Sequence, residues 1–176
     1  MRLSHPMKIL TILIGTLVLN MFDASNCRAD QAVTEAMLRA ESLGKLRLGL
    51  PEKDVLKLLG SPATRGELVF QEADGNYVQD WHYPDKGIEL WMSAGEKKSG
   101  VKTIANITVS APCTFATRKG IKIGDAESAA RKAYAEHVDR EASDPVTLVV
   151  GSIYGGIIFN FTKGKVSRIF FGAAAE

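Results

Sequence analysis

Two stretches of the chain carry the same pattern of apolar and polar positions. In Leu46-Arg-Leu-Gly49-Leu-Pro-Glu-Lys-Asp-Val-Leu-Lys-Leu-Leu59-Gly60 a short alternating run breaks at a glycine. An apolar face then recurs at helical spacing until a second glycine stops it. Pro51 suits the start of a helix, where its missing N–H would be unpaired anyway, and Glu52 and Asp54 suit the positive end of the helix dipole. The pattern predicts a helix over 51–59 with Val55, Leu56, Leu58 and Leu59 inward and Lys53 and Lys57 outward. The echo is Ile121-Lys-Ile-Gly124-Asp-Ala-Glu-Ser-Ala-Ala-Arg-Lys-Ala-Tyr134. It predicts a helix to about residue 137, with Ala126, Ala129, Ala130, Ala133 and Tyr134 inward.

Elsewhere the period is two. Residues 67–71, 77–83, 87–92 and 101–109 read as strands, as do 146–150, 156–161 and 165–171. Their short connections, rich in Gly, Asp, Asn and Pro, call for antiparallel hairpins, among them the Thr162-Lys-Gly-Lys165 turn. Alternation in 77–83 places Val78, Asp80 and His82 on one face and Tyr77, Gln79, Trp81 and Tyr83 on the other. A further helix is predicted over 30–43 from Ala32, Val33, Ala36, Met37, Ala40 and Leu43, ended by Gly44.

Residues 1–29 read differently. Arg2 and Lys8 precede an apolar run over 9–22, and small residues lead to Cys27-Arg-Ala29, a secretory signal pattern with cleavage after Ala29. At about fourteen residues the run is short for a membrane span, which needs roughly twenty. A retained anchor and a lipoprotein acylated at Cys27 are the alternatives, although Ala24-Ser-Asn26 and Asp23 make a poor lipid-attachment context. The expected location is periplasmic or secreted, or the outer membrane if Cys27 is lipidated.

Removal of this leader changes the charge. Of 22 basic and 20 acidic residues, Arg2, Lys8, Arg28 and Asp23 lie within it, and the remainder balances. No electrostatic case for nucleic acid survives, and a membrane is a partner only if Cys27 is lipidated or the leader is retained. Composition is ordinary for a globular core, at 45% hydrophobic and 24% charged. Cys113 alone remains after cleavage, so no internal disulfide is expected, and its surroundings suit a buried small residue better than a nucleophile.

The two stretches align as starts of similar halves. Gly49 matches Gly124, Gly87-Ile88 matches Gly156-Ile157, and Val101-Lys-Thr-Ile104 matches Val166-Ser-Arg-Ile169. The expected fold is therefore α+β: two tandem units, each a helix or helix pair packed on a small antiparallel β-sheet, over residues 30–112 and 113–176. Through Leu48-Gly49-Leu50, Asp54-Val55, Leu59-Gly60-Ser61-Pro62, Trp81-His82-Tyr83 and Val101–Ile104, the chain resembles the SmpA/OmlA (BamE-like) domain. Ile123-Gly124-Asp125 and 166–169 extend the likeness across most of 45–171, in a tandem arrangement that resembles the β-lactamase inhibitory protein fold. The resemblance implies a non-catalytic protein-binding module of the bacterial envelope, either an assembly accessory or inhibitor-like, with another envelope or secreted protein as partner and no cofactor. It carries departures: the lipid-attachment context is poor, the second half lacks a helix-ending Gly-x-Pro, and the inhibitor's disulfides have no counterpart.

The candidate protein-binding surface is Tyr77, Trp81, Tyr83 and Trp91, with the loops at 73–76 and 93–100, because Trp and Tyr are favoured interface anchors. Core packing competes for the same rings. A small hydrolase or metal-dependent enzyme around Asp80, His82 and Glu89 is the second reading. No Gly-x-Ser-x-Gly and no His-x₃-His or Cys-x₂-Cys spacing supports it, so no catalytic or metal residue is assigned. A small-ligand sensor using a groove between the halves is the third.

Overall fold

The computed structural model describes residues 36–174. The predicted leader, its cleavage site and Cys27 lie outside them, as do residues 30–35 of the helix predicted over 30–43, of which residues 36–40 are helical. Among the described residues no helix is long and apolar enough to cross a membrane.

Period-two patterning dominates what forms. In chain order the elements are α1 (Glu52–Leu59), β1 (Thr64–Arg65), β2 (Val69–Gln71), β3 (Asn76–Tyr83), β4 (Ile88–Gly95) and β5 (Thr103–Ser110). There follow α2 (Glu127–Ala133), β6 (Val138–Asp139), β7 (Thr147–Ser152), β8 (Gly155–Thr162) and β9 (Lys165–Gly172). The strands make one antiparallel sheet of order β1-β3-β4-β5-β9-β8-β7-β6, with β2 beside β1 on the outer edge of β3. This overturns the expectation of two tandem units that each pack a helix on a sheet of their own. The halves join through Ile107↔Phe171, Thr108↔Phe170 and Val109↔Ile169. Helices α1 and α2, of eight and seven residues, and the helical residues 36–40 are minor parts of a sheet-dominated fold. None is long enough to cover a sheet, since eight residues rise only about 12 Å.

Helices α1 and α2 lie where they do because of the glycine before each. Gly49 N–H donates to the carbonyl of Ile104 at 2.8 Å, and Ile104 N–H returns a bond to Leu50 at 3.0 Å. Gly124 and Val166 repeat this at 2.8 Å, with Val166 returning a bond to Asp125 at 2.9 Å. Glu52 N–H then meets the Lys102 carbonyl as Glu127 N–H meets that of Gly164. The true counterpart of Val166 is thus Ile104. Val101, the residue aligned with it by pattern, lies before β5 and is 70% exposed, whereas Val166 is 1% exposed. A bulge recurs as well: register shifts at Trp91/Met92 in the β4–β5 pair and at Asn160/Phe161 in the β8–β9 pair.

One sheet face is the core. Two cross-strand rows, Trp81–Leu90–Ile107–Phe171–Ile157–Val150 and Tyr83–Ile88–Val109–Ile169–Phe159–Leu148, run through six strands and are all buried. Val55 and Leu59 of α1 and Ala130 of α2 pack on them. Leu58, predicted inward, is 39% exposed, and Ala126 and Ala129 are exposed too. Short helices touch the sheet along a narrower stripe than their apolar positions could cover.

Candidate functional site

Between the two core rows, alternation sends a third row to the opposite face: His82–Glu89–Thr108–Phe170–Ile158–Val149. Beside it runs Asp80–Trp91–Asn106. On its other flank Arg168 sits between Ser110 and Asn160. None of these residues belongs to the core cluster that holds the helices. The face carries a depression of about 780 Å³ reaching from Asp80 and Glu89 in the first half to Ile158 and Phe170 in the second.

The face is chemically divided at the β5–β9 seam. Its first half presents Asp80, His82, Glu89, Trp91, Asn106 and Thr108. The second half of the central row is apolar, with Phe170 and Val149 buried and Ile158 half-buried. Arg168 donates from Nη2 to Thr108 Oγ1 at 3.2 Å, and its guanidinium lies 5.7 Å from the Phe170 ring.

The four aromatics proposed as one surface are not together. Trp81 is 0% and Tyr83 1% exposed, on the core face. Trp81 Nε1–H donates to Gln79 Oε1 at 2.9 Å, and the Arg65 guanidinium lies 4.3 Å from its ring centre. Tyr83 donates to the Gly60 carbonyl at 3.1 Å. Burial pushes the Tyr83 hydroxyl up to about 12, with Arg65 opposing. Tyr77 is half-buried at the sheet margin, its ring 5.1 Å from that of Phe70. Trp91 faces the other way, because its cross-strand partner is Asp80 and not Trp81. A small sheet buries its aromatics first, and two of the four went to the core for that reason. Sequence reasoning missed Phe170 and Ile158, which it counted only as strand residues. The alternation of 165–171 against 156–161 was the available signal.

Asp80, His82 and Glu89 do share the open face. His82 and Glu89 are direct cross-strand neighbours. Glu89, however, stands between His82 and the Thr108 hydroxyl, so the imidazole is two strands, roughly 10 Å, from that hydroxyl. A nucleophile needs its base within hydrogen-bond reach, and this order does not provide it. Among the described residues no three His, Cys, Asp or Glu side chains are grouped to hold a metal ion. Cys113 is buried and free, its thiol pushed up by burial, which suits a packing residue. His137 lies at the end of a single turn of 3₁₀-helix, Ala135–His137, away from the depression.

No protein-family model matches the chain, and neither the curated proteins nor the solved structures give a match to it.

Proposed function

We propose that the chain is an exported, non-catalytic protein-binding module of the bacterial envelope, an assembly accessory or inhibitor-like protein, and that its binding surface is the open sheet face. The observation that carries this is the broad face where Trp91 and Ile158 remain partly accessible among polar groups while no described helix packs on it. An antiparallel sheet with one wet face is a suitable platform for a partner, and aromatic anchors ringed by polar groups are what such surfaces use. Trp81 and Tyr83 then serve the scaffold and Trp91 the surface.

Site-specific photo-crosslinking tests the reading. A benzophenone side chain at Thr108, in cells that export the chain, should give a discrete higher-mass protein adduct. The same group at Lys53, on the helix side, should not. No adduct at Thr108, or equal adducts at both positions, would sink it. Mass spectrometry of the mature N-terminus tests export: a chain starting at Asp30 or at acylated Cys27 supports it, and an intact Met1 opposes it.

The depression's volume, within the range of small-ligand sites, favours a second reading as a ligand sensor. A thermal-shift screen that raises Tm with a small molecule, and fails to do so in Trp91→Ala, would support it over the first.

A further inference from the structure

Five polar groups in the first half of the open face have no partner among the described residues. Asp80, His82, Glu89, the Trp91 indole N–H and Asn106 make no ion pair and no side-chain hydrogen bond there. The core-side Trp81 and Tyr83, by contrast, both have partners.

The unpaired groups are arranged around one ring. Asp80 is directly across from Trp91 on β3, Asn106 directly across on β5, and Glu89 precedes it by two positions on the same strand and face. Cross-strand neighbours have Cβ atoms about 5 Å apart, and same-face neighbours along a strand about 7 Å. An indole flanked by two carboxylates is a complementary setting for a planar cation. The ring quadrupole attracts the charge, and each carboxylate can accept hydrogen bonds from a guanidinium edge. The depression holds three carboxylates, Asp74, Asp80 and Glu89, against one guanidinium, Arg168, which is already bonded to Thr108.

The rest of the face restricts what carries the cation. Along the same row, Phe170 and Ile158 lie two and three strands from Glu89, beginning about 10 Å away. Beyond Asn106 the neighbouring row continues through Gly172, Gly156 and Gly151, which leave it without side chains. A single small cation would fill the first half and leave the apolar half uncovered.

We infer that the open face receives an extended segment of the partner protein bearing an arginine, its guanidinium over Trp91 between Asp80 and Glu89, and an apolar side chain about four residues away, on the same face of the segment, over Phe170 and Ile158. This rests on the protein-binding reading and specifies the partner's chemistry. Charge recognition of this kind sets orientation and speeds encounter, and it weakens with salt.

The test uses the whole exported chain and the peptide acetyl-Gly-Arg-Gly-Gly-Gly-Phe-Gly-amide, whose arginine and phenylalanine share a face when extended, with a second peptide carrying neutral, isosteric citrulline in place of arginine. Calorimetry measures affinity, and the Trp91 Nε1–H resonance reports the place. The arginine peptide should shift that resonance and bind at least about tenfold more tightly than the citrulline peptide. Asp80→Asn with Glu89→Gln should abolish the difference while leaving Tm unchanged, since neither carboxylate has a partner to lose among the described residues. If that pair fails to fold, single Asp80→Asn should reduce the difference. Equal affinity for both peptides would overturn the inference, as would argininamide binding as tightly as the full peptide. The two proposals fail separately. A Thr108 crosslink that survives Asp80→Asn with Glu89→Gln unchanged removes the arginine inference and keeps the protein-binding reading. Absence of any Thr108 adduct in the chain with both carboxylates intact removes the reading itself.

Discussion

Tyr134 donates its hydroxyl to Oε2 of Glu41 at 2.9 Å, joining the segment before α1 to the residue that closes α2. Both are buried, at 0% and 4% exposure. The other carboxylate oxygen, Oε1, accepts the backbone N–H of Ser42 at 2.9 Å and of Arg118 at 2.6 Å. Arg118 also donates from Nη1 to the Ala40 carbonyl. Lys119 lies 4.9 Å from the Tyr134 ring centre, its ammonium donating to the Ala133 carbonyl. One carboxylate therefore satisfies three donors, one on the next residue and two from distant parts of the chain.

Removing that acceptor should be costly. Glu41→Ala leaves the three donors without it and should destabilise by about 3 kcal/mol, and Tyr134→Phe by about 1–2 kcal/mol. Glu41→Gln, which keeps an acceptor oxygen, should cost less than Glu41→Ala. Urea unfolding measures each. The double variant should fall short of additivity by about 1 kcal/mol, because both single changes break the same bond.

Tyr83 supplies a pH dependence. Its hydroxyl is held up to about 12 by burial, against 10.0 for a free tyrosine. The folded state therefore keeps the proton more tightly than the unfolded chain. This contribution is complete below pH 10 and is lost as pH rises toward 12. Burial also holds the Tyr134 hydroxyl up, so two groups act in the alkaline range. Tyr83→Phe should flatten the decline of stability between pH 10 and 12 without abolishing it, as followed by urea midpoints across that window.

Strand positions were legible because alternation is local. Residues 77–83 and 165–171 sort onto two faces whatever their partners are. Which face the helices cover was not legible, and so Trp81 and Tyr83 could be mistaken for surface. The single sheet was hidden for a related reason. It depends on Ile107 meeting Phe171, a pairing between distant segments that no local period encodes. β1 and β6, two residues each, are too short to show any period. The halves' correspondence was readable at Gly49 and Gly124, where a glycine precedes each helix. It slipped by three residues at Val101, because Val-x-x-Ile matches by composition and only the backbone bonds to Ile104 and Val166 fix the register. Glu41 stood outside the apolar stripe of 30–43 and gave no sign of its buried role.

The two glycines should respond alike. Gly49 and Gly124 have φ of 74° and 89°, and a Cβ at either would meet nothing within 4 Å. The penalty for alanine is therefore backbone strain alone, about 1–2 kcal/mol at each position. Gly49→Ala and Gly124→Ala should lower Tm by similar amounts. The double variant should show the sum, since each glycine bonds a different strand.

The tryptophans should separate fold from surface. Trp81→Ala empties a fully buried site and should cost about 3–5 kcal/mol. Trp91→Ala removes a half-buried ring from the open face and should cost about 1 kcal/mol or less, while weakening capture of the partner. Thermal melts and the Thr108 crosslinking yield, measured on the same variants, check this. Equal losses of Tm in the two would contradict the assignment of faces.

The seam between the halves carries the strongest consequence of the single sheet. Phe171 is 1% exposed and pairs with Ile107 on one side and Ile157 on the other, so it touches the central strands of both halves. Phe171→Ala should cost about 3–5 kcal/mol. If each half were a unit of its own, the loss would fall on one of them and unfolding would split into two steps. With a continuous sheet the whole chain should still unfold in one transition, at a lower midpoint. Tryptophan fluorescence reports only the first half, where Trp81 and Trp91 both lie. Hydrogen exchange at Leu148 and Phe159 reports the second. Coincident midpoints in the variant are expected, and a second-half transition that precedes the fluorescence change would show that the seam does not bind the halves into one cooperative structure.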